Sequence, residues 1–230
     1  MKRVLYLYQS SVGKKVTMAL SGLFVVGWLF GHMTGNLKAF LGSDEFGEFP
    51  INHYAQFLRE MGAPVLPDTV GLWGVRVLLG GAILLHVVSS AQLARQSKAA
   101  SSHSYGKQEA LSFSYASRTM RWGGVIVLFY IIYHHLHLTL GSVHPDFVPG
   151  DPHSNLIVGF QSPLVVGFYT LANVALGMHL YHGLWSLTQT LGLSHPRYNH
   201  IRRPIAAGLT VILIGGFLSV PLAVMAGILK

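Results

Sequence analysis

Cysteine is absent from this sequence, and its absence removes several chemistries at once. No disulfide can form, no thiolate can ligate haem iron, no iron-sulfur cluster can be held, and no haem can be attached covalently through a CxxCH motif. Charge is the next scarcity. Only 10% of the residues are Asp, Glu, Lys or Arg while 51% are hydrophobic, against roughly 25% charged in an ordinary soluble domain. Acids are the rarer sign, and the chain carries a net charge of +8. The bases nevertheless fall in short clusters between apolar runs and form no basic face, so they read as topology signals and not as a nucleic-acid surface. A glycine-rich nucleotide fingerprint is also missing. So is a cleavable leader pattern: MKRVLYLYQSSVGKK has no apolar core followed by small residues, and the first apolar run is expected to remain in the mature chain.

What the sequence has in abundance is apolar length. Five windows approach or exceed the ~20 residues needed to cross a hydrocarbon core, at about 16–40, 71–94, 121–141, 163–191 and 205–228. The expected architecture is therefore all-α, a single domain over residues 1–230 built as an integral membrane bundle of five transmembrane helices. In the first span Gly27, Gly31 and Gly35 make a doubled GxxxG spacing, which predicts close approach of a second helix backbone. The bases assign sides. Lys2, Arg3, Lys14 and Lys15 precede the first span, Arg95, Lys98, Lys107, Arg118 and Arg121 lie between the second and third, and Arg197, Arg202 and Arg203 lie between the fourth and fifth. Every acid except Glu109 falls on the opposite set of connections. By the positive-inside rule the N-terminus is expected in the cytoplasm and the C-terminus outside.

Thirteen histidines stand out in a chain so poor in charge. His32, His86, the cluster His134, His135 and His137, and then His179 and His182 lie inside the apolar runs. An imidazole without a partner is costly in hydrocarbon, so each is either an interhelical hydrogen bond or a functional group. Depth favours function. At ~1.5 Å per residue from the cytoplasmic ends, His32 lies ~26 Å and His134 ~20 Å deep, whereas His86 and His179 lie only ~14 and ~18 Å deep. Two histidines at each of two heights suit two stacked haems, since neutral imidazole ligates iron from both faces of a porphyrin and facing helices supply such pairs. Zinc would need a tetrahedral set at one height. Two other classes compete: a membrane di-iron oxygenase, which needs its histidines gathered at one cytoplasmic level, and a histidine-lined metal transporter, which should carry intramembrane carboxylates. Which third-span histidine faces the bundle is open at this point.

The stretches SSVGKKVTMALSGLFVVGWLFGHMTGNL, NHYAQFLRE, YHHLHLTLG and above all HLYHGLWSLTQTLGLSHPRY resemble the cytochrome b membrane-anchor subunit of succinate:quinone oxidoreductases and fumarate reductases, in its single-chain, five-helix, two-haem form. The resemblance covers nearly the whole chain. It implies a four-helix haem-binding core with two haem b groups, the outer held by His32 and a third-span histidine, the inner by His86 and His179. The family's third-span pattern fits His134 and His137, with His134 taken as the ligand; His182 is expected to support a haem propionate or to pack by hydrogen bonding. It further implies a succinate dehydrogenase (respiratory complex II) of the tricarboxylic acid cycle, in a bacterial cytoplasmic membrane. Its partners would be a flavoprotein subunit, an iron-sulfur subunit, the lipid bilayer and a membrane quinone, with menaquinone the expected species, no nucleic acid, and room for a higher oligomer. Succinate chemistry itself would reside in the partners. For quinone reaction two locations compete, a proximal site close to the iron-sulfur partner and an outer pocket beyond His32, where Asn36, His53, Gln56, Arg59 and Glu60 form a dense polar group. Glu60 is expected to be the catalytic proton handler, because a partly buried carboxyl beside a membrane pocket can exchange protons near neutral pH.

Overall fold

A computed structural model describes residues 8–100, 115–193 and 195–230, and among them all regular structure is helical. Lys2, Arg3 and Lys107 lie outside the described residues, as does the side chain of Arg118. The long helices are α1 (Ser11–Leu37), α3 (Val70–Ala100), α4 (Tyr115–Leu138), α6 (Pro163–Thr190) and α7 (Asn199–Met225); α2 (Pro50–Arg59) and α5 (Pro152–Gly159) are short. Their starts follow from local chemistry. The Ser10 side chain accepts the Gly13 N–H at 2.9 Å and caps α1, and Asp151 caps α5 by accepting the Ser154 N–H at 3.0 Å. Proline begins α2, α5 and α6, where its missing N–H and fixed φ cost nothing.

Among the described residues, four stretches are long and apolar enough to cross a membrane: Ser11–Phe40, Val70–Ala100, Pro163–Thr190 and Asn199–Met225. The five apolar spans expected from the sequence thus resolve into four by this measure. α4 is helical over 24 residues but is diluted by Arg121, His134, His135 and His137. The surface of the long helices is apolar, with Leu78, Trp122, Phe129, Leu171 and Val211 all more than 60% exposed. The least exposed side chains include Ser89 and His137. Apolar periphery around polar interior positions is consistent with a membrane protein, whose outer faces meet lipid.

α1 packs on α3 and α7, and α6 packs on α4 and α7. At one end of the bundle the Tyr8 hydroxyl reaches Gln92 Oε1 at 3.4 Å, Arg202 Nε donates to Thr188 Oγ1 at 2.8 Å, and Arg203 lies over the Trp185 ring at 4.9 Å. The opposite end is covered by α2 and α5. There Asn52 Nδ2 donates to Asp151 Oδ1 at 2.9 Å, Asn52 Oδ1 accepts the His153 N–H at 3.0 Å, and Phe49 stacks on His153. Among the described residues, Lys15, Arg95, Arg121, Arg202 and Arg203 lie toward the first end, and Asp44, Glu48, Asp146 and Asp151 at the second.

The glycine expectation needs correction. Gly27 and Gly31 are exposed, and a Cβ on either would meet nothing within 4 Å, so no helix uses that part of the spacing. Only Gly35 makes a close approach, to the ring of Tyr54 on α2. The tight contact between α1 and α3 lies at Gly22 instead, where a Cβ would stand 3.1 Å from Cε1 of His86.

Candidate functional site

Four of the intramembrane histidines stand in two interhelical pairs. Nearer the basic end, His86 of α3 and His179 of α6 have ring centres 6.1 Å apart at an interplanar angle of 62°. Nearer the acidic end, His32 of α1 and His134 of α4 are 5.8 Å apart at 84°. The levels are well separated. Gly124, 3.4 Å from His179 by its would-be Cβ, and His134 are ten residues apart on α4, which places the levels about 15 Å apart along the bundle. Tyr169 beside His134 and His179 give the same spacing on α6. Among the described residues no three metal-ligating side chains converge.

Each pair is held by its surroundings. Nδ1 of His86 lies 3.0 Å from the Met18 carbonyl oxygen; a carbonyl only accepts, so Nδ1 carries the hydrogen and Nε2 keeps its lone pair. Trp28, one turn below His32, stacks on it at 4.7 Å and 11°, and Phe217 of α7 closes the other flank at 5.8 Å. His134 Nδ1 is 3.3 Å from the Tyr169 hydroxyl, leaving its Nε2 for the space shared with His32.

Donor spacing tests whether these residues suit the expected haems. Two imidazoles on opposite sides of one metal at about 2.0–2.1 Å would have ring centres roughly 6.4 Å apart. The ring centres, 6.1 and 5.8 Å apart, are about 0.3 and 0.6 Å closer than that value, and mutual twist about the axis is unrestricted. The hydrogen bond from Nδ1 of His86 is of the kind that orients a ligating imidazole and raises its basicity. Polar groups without partners lie near the pair of His86 and His179: Nδ1 of His182, and Oγ of Ser89 one turn beyond His86, are buried and make no hydrogen bond. The residues present therefore fit the group.

The remaining third-span histidines take other places. His137 is 1% exposed, its Nδ1 lies 3.0 Å from the Tyr169 hydroxyl, and it packs between Tyr133 and His144. His135 is exposed, with Nδ1 3.3 Å from Thr139 Oγ1. His182 meets Trp185 edge-on at 5.7 Å.

At the acidic end a cavity of about 590 Å³ is lined by Glu48, Asn52, His53, Gln56, Arg59, Pro149, Gly150 and Asp151. His53, Gln56 and Arg59 converge there as expected, while Asn36 and Glu60 are not part of its wall. The partial burial expected for Glu60 is not found: its side chain is exposed just past the end of α2 and accepts from Gln56 Nε2 at 2.8 Å. The Glu48 backbone N–H and then the His53 ring hold the Asp44 carboxyl below its usual range. Burial of Asp151 would raise its pKa, but hydrogen bonds from Ser154 and Asn52 outweigh burial and lower it. Burial lowers His153, against the opposing pull of Asp151.

Sequence reasoning missed Tyr169 and His144. A phenol in an aromatic-rich apolar helix gives no spacing signal of its own; only its position ten residues before His179, one level up, could have pointed to it. Compared with protein-family models, with curated proteins and with solved structures, the chain finds no match in any of the three.

Proposed function

We propose that this chain is the di-haem cytochrome b anchor of a succinate:quinone oxidoreductase or fumarate reductase, passing electrons between an iron-sulfur subunit and a membrane quinone. The observation that carries the reading is the pair of interhelical imidazole pairs at bis-ligand spacing, two depths apart. His86 and His179 would hold the inner haem b, His32 and His134 the outer; bound there, the two groups supply one-electron carriers at two depths. The chain itself orients one imidazole of each pair, His86 through Met18 and His134 through Tyr169, and surrounds the pairs with apolar side chains that keep water away.

In this reading α4 is a fifth crossing. Its 24 residues reach about 36 Å, more than the ~30 Å hydrocarbon core, and His134 and His137 turn inward while Trp122 and Phe129 would face lipid. The membrane would be a bacterial cytoplasmic membrane, with the basic end inside. Lys15, Arg121, Arg202 and Arg203 would then face the flavoprotein and iron-sulfur partners, where charge complementarity fixes register, whereas Lys14 is buried and donates to the Gln9 carbonyl. The polar pocket at His53, Gln56 and Arg59 would face the quinone end, with menaquinone the expected species. Glu60, exposed, would exchange protons with water there and not store one.

An optical redox titration of the purified protein tests the reading. Two b-type components are expected, with His86→Ala removing one and His32→Ala the other. Absence of haem from the wild type, or loss of the same component in both variants, would overturn it.

A further inference from the structure

One phenol on α6 anchors two of the three histidines on α4. Tyr169 is 3% exposed, enclosed by Phe160, Tyr130 and Tyr133. Its hydroxyl lies 3.3 Å from His134 Nδ1 and 3.0 Å from His137 Nδ1. A phenol has one hydrogen to donate and lone pairs to accept. All three groups are satisfied only when the hydroxyl donates to one imidazole and accepts from the N–H of the other. The two rings, three residues apart on one helix, must therefore hold opposite tautomers. The far side of His134 decides which is which, because its ring faces His32 at 5.8 Å. His137 instead packs toward α5, where a Cβ on Gly159 would be 3.1 Å from its Nε2. Next to it, His144 is fixed by the backbone: Nε2 donates to the Asn155 carbonyl at 2.9 Å and Nδ1 accepts the Asp146 N–H at 3.2 Å. This wall holds His137 in place.

We infer that Tyr169 is the positioning residue of the outer histidine pair, accepting the N–H of His134 Nδ1 and donating to His137 Nδ1, so that His134 turns a bare Nε2 toward His32 and His137 serves as its brace. His134 is then the ligand of the three: His135 is exposed, and His137 is committed to the brace. The opposition of the two tautomers follows from the phenol alone; which ring carries its hydrogen on Nδ1, and the redox consequence, rest on the di-haem reading. A ligand imidazole that donates from Nδ1 is a stronger donor to the metal and favours its oxidised state.

Tyr169→Phe keeps the ring and removes the hydroxyl. The expected result is a rise in the midpoint of the outer component by about 59 mV, a tenfold change for one electron, with the inner component unmoved. Tyr133→Phe, which lies in the same aromatic cluster, should move neither. Magnetic resonance of isotope-labelled histidine nitrogens gives a second readout that needs no haem: His134, assigned by loss of its signal in His134→Gln, should carry its hydrogen on Nδ1 in the wild type and lose that preference in Tyr169→Phe. A wild-type His134 with its hydrogen on Nε2 overturns the inference, even if Tyr169→Phe fails to fold. Unchanged midpoints in a folded Tyr169→Phe, or an equal shift in Tyr133→Phe, also overturn it. A wild type that binds no haem while showing the expected tautomers would sink the di-haem reading alone.

Discussion

Gly159, the last residue of α5, is hemmed in by two imidazoles that cannot yield. A Cβ there would stand 2.9 Å from His137 Cε1 and 3.0 Å from His144 Nε2; the first ring is held by Tyr169 and the second by backbone bonds on both nitrogens. Gly159→Ala is expected to destabilise the fold by about 1–3 kcal/mol, the usual cost of overpacking. Gly27→Ala should do the reverse, because open space surrounds that position and mid-helix glycine is about 0.5–1 kcal/mol worse than alanine. Thermal unfolding in detergent checks both, and a pair of shifts with the same sign would refute the packing described here. At this scale the presence of histidines at two heights was legible, because helical rise is fixed and depth can be counted; the pairing of His32 with His134 and of His86 with His179 came from the resemblance. The bracing of His137 was not legible, since nothing in YHHLHL says which side meets α6. Nor was the exposure of Glu60, which depends on how the chain turns after α2.

Among the elements, α2 and α5 are joined through Asp151, which caps α5 and also accepts from Asn52 on α2. Its folded pKa lies below that of an exposed carboxylate. The stabilisation is therefore complete above the unfolded value, about 3.9, and is lost as pH falls through the lower folded one. Proteolysis or hydrogen exchange across 149–159 should accelerate on acidification through that window. In Asp151→Asn the acid-dependent step should vanish, and a step of unchanged size there would assign it to another group. Neither short helix was visible in the sequence, because hydropathy reports length, and eight or ten residues are too few to stand out. α4 shows the converse. Its length was legible, but the histidines that give it a role are what lower its apolarity. The GxxxG spacing misled for a related reason: small residues permit close packing without saying which helix, if any, arrives.

For the molecule as a whole, the separation of charge by end was legible from the order of basic clusters alone, and the described helices keep it. The absence of cysteine makes sidedness simple to measure. With five crossings, Gln9→Cys and Lys230→Cys should react with a membrane-impermeant thiol reagent from opposite sides of a sealed vesicle; reaction from the same side would require an even number of crossings. The cover over the acidic end has a further consequence, for the order of assembly. Asn52 finds its partner 99 residues later in the chain. At a synthesis rate of about 5–20 residues per second, α2 waits roughly 5–20 s after its own translation before Asp151 exists, and α3 and α4 are made in the interval. Throughout it the Asn52 amide and the Phe49 ring have only water and lipid headgroups as company. The late half of the chain thus seals the early half, and the outer histidine pair acquires its roof only after both of its members have been made.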